Sequence, residues 1–384
     1  MTSPRTIVLG VGTMGAATCM ELARRGVSVI GIDRSSVPNP HASHHGGSRI
    51  IRECYFEHPD YVPLLLRAGE RWDELERTAR ALHVNHAGPI VHRCGVLYLG
   101  APGSEVVERS LAAGRANGIP CDRKYAGGPP AYFPQFRVPD GWIGLHEPRA
   151  GFVRPERAVA AAAAIARMHG AEIHEHEQVV DWSETASGVR VRTDRSTYEG
   201  DSLVITAGAW TPGLASQLGV RLEPQRVVLA WFAPRDAAAC DESRMPAFYV
   251  DRPGAPGFYG IPTAADQGHP GGVKVAFHHG TPCDPDAPRA PATGDALAAL
   301  ARATAQFAPA AAGRILAHAT CLYTMSPDGH FVVDRMPGCA RTWVACGFSG
   351  HGFKFMPVIG EALADLATGG ATSLPIGFLA AARK

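Results

Sequence analysis

The stretch TIVLGVGTMGAATCMELARRGVSVIGIDR, residues 6–34, decides the fold of this chain. It begins with a short apolar run of the kind that forms a buried strand. A pattern G-x-G-x-x-G follows, with its glycines at Gly10, Gly12 and Gly15. Small and apolar residues at helical spacing then predict a helix, and a second apolar strand ends at Asp33. This order of strand, glycine turn, helix and strand predicts a parallel βαβ unit.

The three glycines have separate roles in such a unit. Gly10 permits the tight turn, Gly12 lets a pyrophosphate approach the backbone, and Gly15 lets the helix pack closely on the strand. The helix N-terminus offers free N–H groups to phosphates, and Asp33 can accept hydrogen bonds from a ribose. The alternative is a glycine turn in an ordinary βαβ unit, but the acid at the end of the second strand favours a dinucleotide site. The motif does not separate FAD from NAD.

Length and composition restrict the class of protein. A chain of 384 residues predicts two domains, and 46% hydrophobic with 19% charged residues is ordinary for a soluble enzyme. A net charge of +1 argues against a nucleic-acid or membrane partner. The nine cysteines form no C-x-x-C pair, which predicts neither disulfides nor structural zinc. With no signal peptide or membrane-spanning run in the sequence, we expect a cytoplasmic enzyme.

A second stretch, SHHGGSRIIR at 43–52, places two arginines beside a glycine-rich turn. Ser48 is predicted to cap a short helix, which would put Arg49 and Arg52 on one face. Two such cations suit an anionic ligand or a flavin edge, whereas the alternative is a solvated surface turn. The histidines here lack a partner at ligand spacing, so we predict no metal site.

The pattern changes after residue 221, where apolar strands are joined by turns rather than helices. This predicts an antiparallel sheet in a separate domain laid over the cofactor. Two stretches read as loops, 127–148 and 281–293. The predicted strands of the sheet are 227–232, 247–250, 257–261 and 273–277.

The sequence GFSGHGFKF at 347–355 is a glycine-rich loop whose N–H groups can face a ring system or a carboxylate. It follows Cys321, which is either a residue of the site or, as is usual for a free cysteine, a small buried hydrophobe. Lys354 is likewise either a residue of the site or a surface charge.

Taken together, these motifs resemble the monomeric sarcosine oxidases and N-methyltryptophan oxidases, flavoenzymes of the D-amino-acid-oxidase-like superfamily. The resemblance covers essentially the whole chain. It rests on the Gly10–Gly15 motif with Asp33, SHHGGSRIIR at 43–52, TAGAW at 206–210, K-x-x-x-H at 274–278, and C-x-Y-T at 321–324 with GFSGHGFKF.

The resemblance implies a mixed α/β fold in which a Rossmann-type FAD domain carries a substrate domain built on an antiparallel sheet. The FAD domain would be discontinuous, with segments 1–85, 151–220 and 321–384. The substrate domain would comprise 86–150 and 221–320. A monomer is expected from the same family.

The resemblance also implies the cofactor contacts. Cys321 stands where the family links FAD covalently through a thioether. Arg49 would stabilise negative charge on the reduced ring, and His45 would assist flavin attachment. The residues implied to bind the cofactor are Gly10, Gly12, Thr13, Met14, Gly15, Asp33, Arg34, Ser43, His44, Ser48, Gly208, Trp210, Cys321, Phe348, Gly350, His351 and Gly352.

The substrate contacts follow in the same way. Arg52 and Lys354 match the residues that grip the substrate carboxylate, and Lys274 matches the lysine where oxygen is reduced. Tyr323 would lie near the flavin and the substrate. The residues implied to line the substrate cavity are Tyr259 and His278.

Two departures from the family pattern are visible. Gly47 and Ser48 stand where the family has Asp-Thr, so a carboxylate is lost beside the flavin. The segment between Tyr259 and Lys274 is long and rich in glycine and proline, which bears on substrate choice.

The expected activity is FAD-dependent oxidation of a secondary amino acid, with hydride transfer to give an imine and release of hydrogen peroxide. The substrate stays open between sarcosine, a bulky N-methyl amino acid, a cyclic imino acid and a biosynthetic intermediate. A dehydrogenase and a non-catalytic flavin protein are the alternatives. Three aromatic side chains either line the cavity or pack in the core: Trp231, Phe248 and Tyr249.

Overall fold

A parallel βαβ unit forms at the glycine motif, as the sequence predicts. Strand β1 (Arg5–Leu9), helix α1 (Thr13–Arg24) and strand β2 (Ser28–Ile32) follow one another, and the strands pair in parallel. Gly10 makes the turn at a φ of +84°. A Cβ on Gly15 would lie 2.0 Å from the carbonyl oxygen of Gly10, so a larger residue at position 15 would push the helix off the strand.

The computed structural model describes residues 5–84, 88–124, 131–266 and 270–383. In chain order, the strands after β2 are β3 (Arg49–Ile51), β4 (Val91–His92), β5 (Val96–Gly100), β6 (Asp122–Lys124), β7 (Ile143–Glu147), β8 (Gly151–Val153), β9 (Glu172–His174), β10 (Val179–Glu184), β11 (Val189–Thr193), β12 (Thr197–Gly200), β13 (Ser202–Ile205), β14 (Glu223–Phe232), β15 (Ala247–Val250), β16 (Phe258–Ile261), β17 (Val273–Phe277), β18 (Thr281–Pro282), β19 (Ile315–Met325), β20 (Val332–Arg335) and β21 (Thr342–Cys346). The helices after α1 are α2 (Tyr61–Ala81), α3 (Glu105–Ala116), α4 (Pro155–Met168), α5 (Thr211–Leu214), α6 (Gly294–Phe307) and α7 (Met356–Gly369).

The first sheet is six-stranded, in the order β20-β21-β13-β1-β2-β9, and parallel except at β20. Helix α1 packs against α4 and α7 over one face. A small antiparallel sheet, β10-β11-β12, covers the other. Within β1, Val8 packs in the helical layer, whereas Ile7 and Leu9 share a core with Val189 and Val191 of β11. Both faces are therefore covered, which explains the continuous apolar run of β1.

The second sheet is nine-stranded, in the order β18-β14-β17-β16-β15-β5-β7-β6, with β19 paired to β14. Its neighbours are antiparallel apart from β5 and β15. Helix α6 buries Leu300 and Phe307 against Phe232, Phe248 and Val275 of this sheet. The predicted antiparallel sheet is present, and the mixed α/β architecture is confirmed.

Two local predictions are wrong. Ser48 caps no helix, because Arg49–Ile51 is strand β3, paired with β8. Arg49 begins this strand and Arg52 lies just after its end, so the helical face that they were predicted to share does not form. The predicted loop 127–148 ends in strand β7, which pairs with β5 and β6; residues 127–130 lie outside the described ranges. Partners distant in sequence decide both segments, and local composition does not reveal them.

The two large sheets draw their strands from different segments of the chain. Segments 96–147 and 223–320 contribute to the nine-stranded sheet, and the six-stranded sheet draws its strands from the other segments. Strand β19, however, runs from Ile315 to Met325 and so crosses the predicted boundary at residue 321. The division into two domains stays a prediction.

Candidate active site

A cavity of about 750 Å³ lies at the carboxyl ends of the parallel strands. Leu9 at the end of β1, Ile32 at the end of β2, Thr206 after β13 and Ala345 in β21 all line it. Ligands of open α/β sheets bind at this edge, where loops and helix N-termini present backbone groups. We refer to this cavity as the cofactor cleft.

The glycine motif forms one wall of the cofactor cleft. Gly12, Thr13 and Met14 line it at the start of α1. Among the described residues, none beyond its chain neighbours comes within 4 Å of a Cβ built on Gly12, so this side of the turn is open to a ligand. The unpaired N–H groups of the first helical turn can therefore meet a phosphate.

Asp33 is fixed at the same wall by two backbone hydrogen bonds. Its Oδ2 accepts from the N–H of Val11 at 2.8 Å, and its Oδ1 accepts from the N–H of Ser35 at 2.9 Å. Burial raises the pKa of Asp33 to about 6, while these N–H groups act against the rise. The carboxylate is thereby held in one orientation on the cleft wall.

His44 gives an independent indication that the cleft binds a ligand. It lines the cavity and is 1% exposed, yet neither ring nitrogen has a hydrogen-bond partner within the described residues. Burial lowers its pKa to about 4, so the ring is neutral near pH 7. An unsatisfied buried imidazole, an open glycine turn and a helix N-terminus together fit a bound dinucleotide.

Most of the residues implied to bind the cofactor line this cleft. Those that do are Gly10, Gly12, Thr13, Met14, Asp33, Arg34, Ser43, His44, Gly208, Trp210, Phe348, Gly350 and Gly352. Arg49 and Tyr323 line it as well. The implied residues that do not line it are Gly15, Ser48, Cys321 and His351. Gly15 lies beneath the glycine turn, and the other three are buried beyond the wall.

Sequence reasoning missed the segment 285–289, which also lines the cleft. The Oδ1 of Asp286 accepts from Arg34 and from the indole N–H of Trp210, each at 2.8 Å. Arg289 donates to the carbonyl oxygens of Pro40 at 2.6 Å and Thr320 at 3.2 Å. Charged residues inside a proline-rich loop were the available signal, because such a loop needs partners to be ordered.

The turn at 46–48 is surrounded by two cations. Arg49 donates to the carbonyl oxygens of Ser48, Ser43 and His45, at 2.8, 2.8 and 2.7 Å. Lys274 of β17, 2% exposed, donates from Nζ to the carbonyl oxygen of Ser48 at 2.6 Å. Burial, reinforced by the charge of Arg49, holds the pKa of Lys274 well below its usual range.

Cys321 lies in β19 beside these cations. It pairs with Val227 of β14 and packs in a small buried cluster with Leu229, Trp231 and Ala276. The thiol is 1% exposed and is near enough to Arg49 and Lys274 to affect their pKa values. Cys321 is therefore buried in an apolar cluster in the neighbourhood of both cations.

Glu156 is a further residue that sequence reasoning missed. Its Oε1 accepts from the N–H groups of Gly46 and Gly47, at 2.8 and 2.9 Å. The Nδ1 of His45 lies 3.8 Å from the same oxygen. The signal was an acidic residue in the first turn of a helix that Pro155 begins.

Arg52 and Lys354 form a second cationic cluster around the ring of Tyr55. Arg52 pairs with Glu57 and stacks on two rings, with Cζ 4.2 Å from the centre of Tyr55 and 4.4 Å from that of Phe56. Lys354 is 6% exposed, so the alternative of a surface charge is wrong. Burial, together with the positive charge of Arg52, lowers the pKa of Lys354 to about 7.

His351 anchors this cluster to the neighbouring loop. Its Nε2 lies 3.0 Å from the carbonyl oxygen of Gly329, which can only accept, so Nε2 carries the proton. Nδ1 then accepts from the hydroxyl of Tyr55. The backbone carbonyl of His351 accepts from the Nζ of Lys354 at 2.6 Å. Burial lowers the pKa of His351 to about 3, which keeps this tautomer neutral.

Tyr259, His278 and Tyr323 connect the two cationic clusters. The two tyrosine hydroxyls are near enough to affect each other's pKa, and the hydroxyl of Tyr323 lies 3.3 Å from Nδ1 of His278. Burial lowers the pKa of His278 to about 4. The ring of Tyr249 lies 6.4 Å from that of His278, whereas Phe248 packs wholly in the core with α6.

The sequence and fold were compared with those of known proteins. The model of the DAO family, described as FAD dependent oxidoreductase, matches residues 5–366. The chain belongs to this family. Its members are flavoproteins, so the cofactor cleft is that of an FAD-dependent oxidoreductase.

Individual relatives agree with the family match. A monomeric sarcosine oxidase of Streptomyces avermitilis is 39% identical, over 97% of this chain and 95% of that protein. An N-methyl-L-tryptophan oxidase of Salmonella dublin is 34% identical, over 96% of each. The structure of an L-proline dehydrogenase from P. horikoshii matches with a TM-score of 0.84 at 21% identity, covering 99% of this chain and 97% of that one. The resemblance predicted from the motifs is confirmed.

Two further properties concern the described ranges alone. None of the helices there combines the length and apolar composition that crossing a bilayer requires. No group of three or more histidine, cysteine, aspartate or glutamate side chains in those ranges is arranged as metal ligands would be.

Proposed function

We propose that this protein is an FAD-dependent oxidase of a secondary amino acid, either an N-methyl amino acid such as sarcosine or a cyclic imino acid, and that it releases hydrogen peroxide. The observation that carries the proposal is that two buried cations, Arg52 and Lys354, lie in one cluster. Glu57 supplies one carboxylate to these two cations, and a substrate carboxylate would supply a second. The names of the relatives point to the same class of substrate.

In this proposal Arg52 and Lys354 bind the substrate carboxylate by charge-assisted hydrogen bonds. The guanidinium of Arg52 is now held by Glu57, so the substrate must compete with that carboxylate. One oxygen of Glu57 has no hydrogen-bond partner within the described residues. A substrate carboxylate that displaces Glu57 from Arg52 therefore replaces an incompletely hydrogen-bonded group. The rings of Tyr55 and Phe56 keep the guanidinium plane in place during the exchange.

The cofactor proposal assigns the pyrophosphate to the start of α1 and a ribose to Asp33. Cys321 is the proposed site of a covalent link, with His45 assisting. When bound, FAD would supply the acceptor for the hydride that leaves the α-carbon of the amine as the C–N bond becomes an imine. Arg49 and Lys274 provide positive charge at the flavin, and Lys274 would stabilise the negative charge that builds on oxygen as it is reduced.

Tyr259, His278 and Tyr323 are proposed to line the substrate cavity. His278 is neutral near pH 7, because burial lowers its pKa to about 4, so the residue can accept a hydrogen bond from an amine. Tyr249, in contact with Phe56 and His278, limits the size of the substituent that the cavity admits. The proposal further divides the chain into the two domains predicted above and expects a cytoplasmic monomer.

A peroxide assay over a panel of sarcosine, bulkier N-methyl amino acids, pipecolate and proline tests this function. We expect peroxide under air from at least one substrate, and bleaching of the flavin by the same compound without air. Lys354→Met should raise KM by about 10²-fold. Arg190→Gln is the matched control, because it removes an exposed cation on the small sheet that pairs with Glu199. Bleaching without peroxide would indicate a dehydrogenase. The absence of both bleaching and peroxide would contradict the proposal.

A further inference from the structure

The turn at 46–48 is held from both sides. Its two N–H groups, from Gly46 and Gly47, converge on one oxygen of Glu156. Its carbonyl oxygens accept from cations, Gly47 from Arg154 at 3.2 Å and Ser48 from Lys274 at 2.6 Å. Both glycines adopt positive φ, +114° and +75°, and this brings successive N–H groups to face the same anion.

Glu156 is well placed to be that anion. It lies in the first turn of α4, where the helix dipole favours a carboxylate. Burial raises the pKa of Glu156, but the N–H of Gly47, its own backbone N–H and the charge of Arg49 outweigh burial and hold the pKa below its usual range. The carboxylate is thus ionised at every pH at which the protein would work.

The same carboxylate faces two cations that need it. The Nη1 of Arg49 and the Nζ of Lys274 each lie 3.6 Å from a Cβ built on Gly46, so the two charges lie close together. Glu156 acts electrostatically on both, and it raises the pKa of Lys274 against burial and the repulsion of Arg49. Other ionisable groups around this centre are Arg154, Arg289, His44, His45, Tyr259, Cys321 and Tyr323.

Arg154 also contacts the turn, but it is a cation and cannot supply the negative charge that Glu156 provides. Its guanidinium pairs with Asp266, which also binds Arg157. Gly47 itself has no side chain to offer. The negative charge at the turn therefore comes from a helix more than a hundred residues further along the chain.

We propose that Glu156 is a positioning residue, whose carboxylate holds the turn at 46–48 and keeps Lys274 positively charged beside the flavin. The role of Lys274 in this statement rests on the proposed function. Glu156 itself needs no contact with the substrate.

The charge is tested by the reduction potential of the bound flavin as a function of pH, which needs neither substrate nor oxygen. Loss of the Lys274 proton should produce a break in this curve. In Glu156→Gln, which keeps an oxygen that can accept from both glycines, the break should move to lower pH by about one unit. Lys274→Met should abolish the break in both backgrounds. An unmoved break in Glu156→Gln would overturn the proposal.

The turn is tested by amide hydrogen exchange across residues 43–50. We expect Glu156→Ala to exchange at least about tenfold faster than wild type and Glu156→Gln to stay close to wild type. Unchanged exchange in Glu156→Ala would equally refute the role. Should Glu156→Gln not yield flavin-loaded protein, Glu156→Asp retains the charge at a greater distance and should show a smaller shift of the break.

Glu184→Gln is the matched control for both measurements. Glu184 also accepts from two successive N–H groups, those of Ala340 and Arg341, at 2.7 and 3.0 Å, but it does so at the end of β10. Its variant should reproduce the wild-type potential curve and the wild-type exchange at 43–50. Since neither readout requires peroxide, failure of the proposed oxidase activity would be recognised separately.

Discussion

The Nζ atom of Lys274 donates a hydrogen bond of 2.6 Å to the carbonyl oxygen of Ser48. This contact joins a strand of the nine-stranded sheet to the turn that precedes β3, across 226 residues of sequence. Burial disfavours the ammonium form, and the pKa of Lys274 is accordingly lowered. A lysine so placed is held rigidly where a fixed positive charge can act with little reorganisation.

Replacing Lys274 with methionine should slow reoxidation of the reduced flavin far more than its reduction by substrate. Loss of one preorganised charge costs on the order of 3 kcal/mol in the oxygen step, which corresponds to roughly 10²-fold. Stopped-flow measurement of the two half-reactions checks this. Equal slowing of both half-reactions would mean that Lys274 acts on substrate binding or on flavin position instead.

Replacing Cys321 with serine should release the flavin from the protein. Acid precipitation of wild type is expected to leave the yellow colour in the pellet, and that of Cys321→Ser in the supernatant. Cys346→Ser is a matched control, since Cys346 is also fully buried and lies in β21. Colour in the wild-type supernatant would refute the covalent link.

The glycine motif predicts two different outcomes for the same substitution. Gly15→Ala should destabilise the fold by about 2 kcal/mol, because its Cβ would lie 2.0 Å from the carbonyl oxygen of Gly10. Within the described ranges the methyl group of Gly12→Ala meets nothing beyond its chain neighbours, so stability should change by less than about 0.5 kcal/mol. Gly12→Ala should instead weaken flavin retention, since its methyl group enters the cleft. Chemical denaturation and flavin content distinguish the two, and similar losses of stability in both variants would contradict the prediction.

Substrate capture should depend on pH through Lys354. Its pKa is lowered to about 7, so the ammonium is present below that pH and is lost as the pH rises through it. We therefore expect kcat/KM to fall above about pH 7, whereas kcat, which reports the substrate complex, should hold to higher pH because a bound carboxylate favours the ammonium. Lys354→Met should remove this alkaline limb. A wild-type limb that persists in the variant would assign the titration to another group.

The sequence by itself determined the βαβ unit, the cleft wall and the family. These follow from local spacing: Gly10, Gly12 and Gly15 mark the turn, and Asp33 ends the strand. The helix at Ser48 was wrong for the converse reason, since residues 49–51 extend only because β8 pairs with them. Strand β7 was missed because its partner β5 is distant along the chain, and its other partner, β6, has only three residues and gives no clear strand pattern.

Only the tertiary structure decided how the charged residues combine. Glu57 holds Arg52, Glu156 faces Arg49 and Lys274, and Asp286 ties Arg34 to Trp210, and apart from the first these partners come from distant segments. The charge and pKa of a group depend on its burial and on neighbours within a few ångströms, and a linear sequence gives neither. Motifs fix which residues are present, whereas folding alone fixes which charges meet.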